Sequence, residues 1–176
     1  INQMTAVLLL KILGRKFFWV QNFSNPPTPN FFSRLLISQA DRILVRDKVT
    51  NENSKLFSTA RLAGVSNFGK FNNAGYKGLY NISLGEIENK KKISKGQLLD
   101  HSGSEELAAN FFRITQTEAK LKRENIKGDI EAQMTHFDIG KKVRQTIKEI
   151  GGEMPENLKP ERHIKEIRKK TRKMLK

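Results

Sequence analysis

The chain has 176 residues, enough for one domain of ordinary size with tails, and 37% of them are hydrophobic, so a modest core in polar surroundings is expected. It has no cysteine, which excludes disulfides, thiol chemistry and cysteine-based zinc sites and suits the cytosol. The formal charge of +15 points to polyanionic partners, but it is concentrated at the ends. Residues 159–176 hold nine Lys/Arg against two acids, net +7, and residues 1–50 are net +5, while residues 51–158 are only +3.

From the N-terminus, Thr5 to Phe18 reads as a short apolar helix. Its longest apolar run, Ala6 to Leu10, is cut by Lys11, far short of the ~20 residues of a membrane span. Nothing basic precedes that run, which argues against a signal peptide. Asn25-Pro26-Pro27-Thr28-Pro29-Asn30 breaks regular structure and predicts a linker, because each proline removes a donor and restricts the residue before it. A helix restarts near Phe31 and runs towards Val49. A second, capped by Asn51 or Asn53 and ending at Gly64, carries Leu56, Ala60 and Ala63 on one face.

Val65 to Asn81 mixes Phe68, Phe71, Tyr76, Leu79 and Tyr80 with Gly69, Gly75 and Gly78, which predicts a compact, turn-rich aromatic knot. Ser83-Leu84-Gly85-Glu86 has the form of a capping box and starts a helix to about Lys91. A short helix follows around Lys95 to Leu99. Ser104 is set to cap a long helix whose apolar residues Leu107, Phe111, Ile114 and Leu121 form one stripe. Asp129 is set to cap another, with Ile139, Val143, Ile147 and Ile150 as its stripe and Met134 and Phe137 extending the contact surface. The two helices predict an antiparallel hairpin. Met154 to Pro160 reads as an extended connector, and a loose or projecting basic helix follows from Glu161.

Long ordered strings in this chain resemble a known family. Residues Leu99 to Leu121, LDHSGSEELAANFFRITQTEAKL, resemble the central signature of the DNA-damage-inducible protein D family, and Thr135 to Glu156, THFDIGKKVRQTIKEIGGEMPE, resembles the signature that follows it. Ala63-Gly64-Val65 and the run Phe71 to Tyr80 are similar to the family as well. The resemblance runs from about Asp41 to the tail and is far more specific than a short motif. It implies a bacterial, cytoplasmic, non-enzymatic protein of the SOS response that modulates RecA recombinase filaments on DNA. The family's N-terminal domain, related to the BRO and antirepressor domains of viruses and phages, has no counterpart in residues 1–40. With Ile1 in place of an initiator Met, this suggests a truncated gene, residues 1–40 being an out-of-frame reading of the end of that domain.

The expected organisation is therefore mainly α, an antiparallel helical hairpin with shorter helices and a small aromatic and Gly-rich turn region. Residues 1–40 form an atypical N-terminal segment, 41–158 the helical domain and 159–176 a basic tail. Two alternatives stand beside the SOS role: a general DNA-binding or phage-type regulatory module, and a truncated remnant without function.

The residues themselves carry no catalytic constellation. His101, His136 and His163 lack the spacing of a zinc site and have no nucleophile beside them, so structural or surface roles are expected and no metal or cofactor is predicted. Glu105-Glu106 and Glu86-x-Glu88 lie in first helical turns, where the dipole favours acids. The run Gly75 to Tyr80 lacks the form of a phosphate loop and is better read as a tight turn packing two tyrosines on the core. Nucleic acid is the expected partner class, with neither a membrane nor a small-molecule substrate. The candidate contacts are Lys141, Lys142, Arg144 and Lys148 on the polar side of the last long helix, and Arg168, Lys169, Lys170, Arg172 and Lys173 in the tail. The tail cluster suits phosphate backbones without sequence preference.

Overall fold

The structure, a computed structural model, describes the backbone of residues 31–174 and the side chains of residues 39–173. The apolar segment Thr5 to Phe18 and the proline linker lie outside the described residues. Seven helices are described: α1 (Phe31–Leu62), α2 (Phe68–Tyr80), α3 (Leu84–Lys90), α4 (Leu98–His101), α5 (Ser104–Arg123), α6 (Asp129–Glu149) and α7 (Ile164–Met174). No strand occurs among the described residues, so the fold is mainly α.

Helix α1 is one continuous rod where the sequence predicts two helices parted near Asn51 and Asn53. No glycine or proline interrupts it. Its polar middle closes on itself, because Thr50, Ser54 and Ser58 each donate a hydroxyl to the carbonyl one turn back, at 3.0, 3.1 and 3.0 Å. It stops at Gly64, whose φ of +89° is cheap only for glycine, with Val65 N bonded to Ala60 O at 3.0 Å.

The predicted aromatic knot is instead a regular helix, α2, capped by Asn67, which accepts from Lys70 N at 2.9 Å. Its glycines make room for α6 rather than turns. A Cβ on Gly78 would lie 2.2 Å from the Phe137 carbonyl oxygen, and one on Gly140 would lie 2.8 Å from the Gly75 carbonyl oxygen. Helices α2 and α6 therefore touch backbone to backbone. The capping box of Ser83 and Glu86 opens α3 as predicted.

Helix α5 lies along α1 and pairs with α6 in the predicted hairpin, but its N-cap is Gly103, and that of α6 is Gly128. Ser104 and Asp129 are each the first helical residue, not the cap. Asp129 instead accepts from Ser66 Oγ, and Gly128 N bonds to Ala63 O at 2.8 Å, which clasps the start of α6 to the end of α1. The main core joins Val49, Leu56, Ala60, Phe71, Leu107, Ile114, Leu121 and Ala132. A second cluster joins Tyr76, Leu79, Tyr80, Ile87, Leu98 and Val143. Met134, Phe137 and Ile150, expected in the packed surface, face solvent. For Met134 and Phe137 the reason is the glycine contact, which turns Gly140 and Val143 inward and rotates those positions out; Ile150 is the C-cap, beyond the last helical residue Glu149.

A polar chain threads this core. Glu106 Oε1 accepts from Lys91 Nζ and from Tyr80 Oη, both at 2.8 Å; Asn110 Nδ2 donates to Tyr80 Oη at 2.8 Å; Arg113 Nη2 donates to Asn110 Oδ1 at 3.0 Å. Arg113 then donates to His136 Nε2, and His136 Nδ1 donates to the Phe71 carbonyl at 3.0 Å. A carbonyl only accepts and a guanidinium only donates, so His136 is the neutral Nδ1–H tautomer. Burial, then the neighbouring Arg113 charge, hold its pKa well below the ordinary value. The guanidinium also lies 4.8 Å from the centre of the Tyr76 ring and occupies the space a Gly75 Cβ would need.

Two outcomes follow from this core. Gly78→Ala should lose about 1–3 kcal/mol in denaturant unfolding, since backbone cannot yield cheaply. Gly85→Ala, where a Cβ meets nothing within 4 Å, should be neutral or gain up to about 1 kcal/mol. The second concerns pH. Unfolded chain protonates its histidine below about pH 6.5 while native His136 stays neutral, so the unfolded state binds more protons and stability falls as pH drops through that value. The loss should grow steadily as pH falls below about 6.5, as denaturant unfolding at stepped pH would show. His136→Gln should lower stability at pH 7 yet flatten this dependence; an unchanged slope would place its origin elsewhere.

Candidate nucleic-acid interface

The basic segment after Pro160 is docked, not loose. Ile164, Ile167 and Thr171 are buried at helical spacing, and the two isoleucines close a small cluster with Ile43 of α1. The approach to the helix is pinned first. Glu161 N donates to His101 O at 2.7 Å, and His101 Nδ1 donates back to Glu161 O at 2.8 Å. Arg42 of α1, itself buried, donates to the carbonyls of Ser102, Arg162 and Asp100 at 2.8, 2.7 and 2.9 Å. Burial lowers the Arg42 pKa, with the Glu161 and Asp100 charges opposing. Asp100 is held by Arg46 at 2.8 Å and lies 3.6 Å from His163, whose ring packs edge-on against His101. Two of the three histidines thus serve the docking of α7, and the third serves the core.

Burying one side of α7 aims the other outward. Lys165, Lys169, Lys170, Arg172 and Lys173 are exposed, and a shallow open hollow is lined by Lys165, Arg168, Lys169, Arg172 and Lys173. Arg168 lines the hollow but also has a partner within the fold. It pairs with Asp47 of α1 and so helps to fasten the helix. Lys165 belongs to the face but is absent from the predicted set, because it stands apart from the dense run that begins at Arg168. Its helical spacing to Lys169 and Arg172 was the available signal.

On α6, Lys141, Lys142 and Lys148 are exposed. Arg144 is half-buried and has partners within the fold. It grips Glu156 with two bonds of 2.7 Å and donates to the Leu79 carbonyl at 3.1 Å, tying the connector to α2 and α6. Burial is the largest single influence and raises the Glu156 pKa, but the bonds from Arg144 and the backbone, with the Arg144 and Lys90 charges, together outweigh it, and the carboxyl ends below its ordinary value. The two predicted groups are not brought together: α7 packs on α1 and α4, whereas α6 packs on α2 and α5.

The acidic pairs also separate. Glu105 is exposed, while Glu106 is buried against Lys91; Glu86 caps α3, while buried Glu88 accepts from Gly96 N at 2.6 Å. Among the described residues, no three His, Asp or Glu side chains gather as a metal site. None of the described helices is long and apolar enough to cross a membrane.

Comparison with known proteins fits this architecture. The DinD C-terminal domain matches residues 36–167, beginning before Asp41 and ending inside the segment set apart as a tail. The chain is 41% identical over 160 residues to DNA damage-inducible protein D of Escherichia coli strain K12. That match covers 88% of this chain, so it enters the first forty residues, and the chain spans 58% of the length of that curated relative. The chain belongs to the DinD family, which it matches through the C-terminal domain.

Proposed function

We propose that this chain is a non-catalytic, cytoplasmic accessory of the DNA-damage response that modulates RecA-type recombinase filaments on DNA. The observation that carries the reading is the DinD C-terminal domain match over residues 36–167, together with a relative named for induction by DNA damage. The docked α7 face supports it: Lys165, Lys169, Lys170, Arg172 and Lys173 point outward from a helix whose other side is buried. A fixed row of cations suits a phosphate backbone, and such contacts position a protein on DNA without reading its sequence. Lys141, Lys142 and Lys148 add charge on a separate part of the molecule. The charged face also supports a second reading, a general DNA-binding module, since counterion release alone accounts for non-specific affinity.

Charge reversal tests this better than deletion, because removing α7 would uncover Ile43. The Lys169→Glu, Lys170→Glu, Arg172→Glu, Lys173→Glu variant keeps Ile164, Ile167 and Thr171 in place. The full chain should change the disassembly rate of recombinase filaments on circular single-stranded DNA, and the variant should lose that effect. Its DNA affinity should fall and its dependence on salt should flatten, since about four phosphate contacts give a log–log slope near −3 on single strands. DNA binding with no effect on any filament would replace the first reading by the second.

A further inference from the structure

Ile130, Met134 and Phe137 follow one another at i, i+4 and i+7 on α6, yet they are 68%, 60% and 38% exposed. Polar residues normally fill the outward face of such a helix, and a bare apolar stripe marks a contact surface. The stripe does not stand alone. It borders an open hollow between α2 and α6 lined by Lys70, Asn73, Lys77, Gln133, Met134 and Phe137. Lys141 is the next residue of the same stripe, one turn beyond Phe137. Lys77 adjoins Gly78, whose missing Cβ leaves room for the Phe137 carbonyl and the Lys141 amide. Two exposed lysines, Lys70 and Lys77, therefore line the hollow with an exposed aromatic ring and a methionine, and exposed Lys141 follows one helical turn beyond the ring. The hollow's one acid is Asp138, and Glu131 lies further back on α6.

We propose that the α2–α6 hollow binds single-stranded DNA, with Phe137 stacking on an unpaired base and Lys70, Lys77 and Lys141 holding the flanking phosphates. Flat aromatic platforms beside tracks of cations are how sequence-tolerant single-strand sites work, because every base has a π-face and every nucleotide a charge. A duplex keeps those faces stacked inside and cannot use the ring. An acidic protein helix would also meet the lysines, but the open, shallow hollow offers no deep groove for the row of apolar anchors that such a helix presents. The ring is well placed for the task, since its backbone is locked against Gly78. The site is separate from α7, and only its biological setting rests on the reading above, in which the protein works on recombinase filaments on DNA.

The test uses the full chain. Phe137→Trp places an indole at the site; the native Trp19 gives a background, measured in the unsubstituted protein and subtracted. Oligo(dT) of twenty nucleotides should quench the new emission strongly, and a duplex of the same length should not. Phe137→Ala and Phe137→Leu should both weaken oligo(dT) binding about fivefold or more, as loss of one stacked base predicts, and leave duplex binding unchanged. The leucine variant keeps apolar bulk without a π-face, so a merely structural role would spare it. Circular dichroism checks that each variant is folded, and the tryptophan signal decides should the alanine variant unfold. An indole indifferent to saturating oligo(dT), or a leucine variant that binds as the parent does, would overturn the proposal and assign the stripe to a protein partner. Quenching without any effect on filaments would remove the filament reading and leave this site standing. Filament effects without quenching would do the reverse.

Discussion

Helices α2 and α6 meet backbone to backbone at Gly75, Gly78 and Gly140, and the rest of the domain is arranged around that contact. Absent side chains bring two helices closer than ordinary ridges and grooves allow. Several consequences follow from this approach. Gly140 and Val143 turn inward, so Ile130, Met134 and Phe137 turn out. His136 faces the interior beside Gly75, where the empty Cβ position is filled by the Arg113 guanidinium arriving from α5. A third helix is thereby keyed to the pair through a polar group, not an apolar one.

The buried chain from Lys91 through Glu106, Tyr80, Asn110 and Arg113 to His136 carries two cations and one carboxylate into a region with no solvent access. Desolvating these charges costs several kcal/mol each, and pairing recovers only part of it. What such a network offers is directionality. An apolar core tolerates sliding of one helix past another, whereas each bond here is made in one register only. Lys91 follows α3, Tyr80 ends α2, Glu106, Asn110 and Arg113 line one face of α5, and His136 sits on α6. Four elements are thus fixed to each other by groups that find partners in one arrangement.

The parts of this fold legible in the sequence were those set by local chemistry. The capping box at Ser83 and the stripe from Leu107 to Leu121 could be read directly, because a capping bond and a periodicity of 3.6 need no distant partner. The α2 region was misread because its glycines have a tertiary reason: Gly75 and Gly78 suggest turns until α6 is seen lying against them. Asn51 and Asn53 suggested a break in α1, because the serine and threonine hydroxyls that support its polar middle can do so only once a helix exists. The candidate interface divides in the same way. Exposed Lys169, Lys170, Arg172 and Lys173 were found from charge density alone. The roles of Arg144 and Arg168 depend on Glu156 and Asp47, and the Asp47–Arg168 pair spans 121 positions of sequence. No local pattern announces such a partner.

The docking of α7 bears on how its charge can act. A cationic tail that moves freely must lose conformational freedom when it meets a phosphate backbone, and that cost is subtracted from its affinity. Here the ordering is already done within the fold, by the three carbonyls on Arg42, the reciprocal His101–Glu161 bonds and the cluster of Ile43, Ile164 and Ile167. The cations of α7 consequently present a fixed spacing and orientation, not only a net charge. A surface of this kind responds to the geometry of what it meets. The same clamp makes α7 part of the folded domain, since Arg42 and Ile43 lie beneath it and would lose their partners without it.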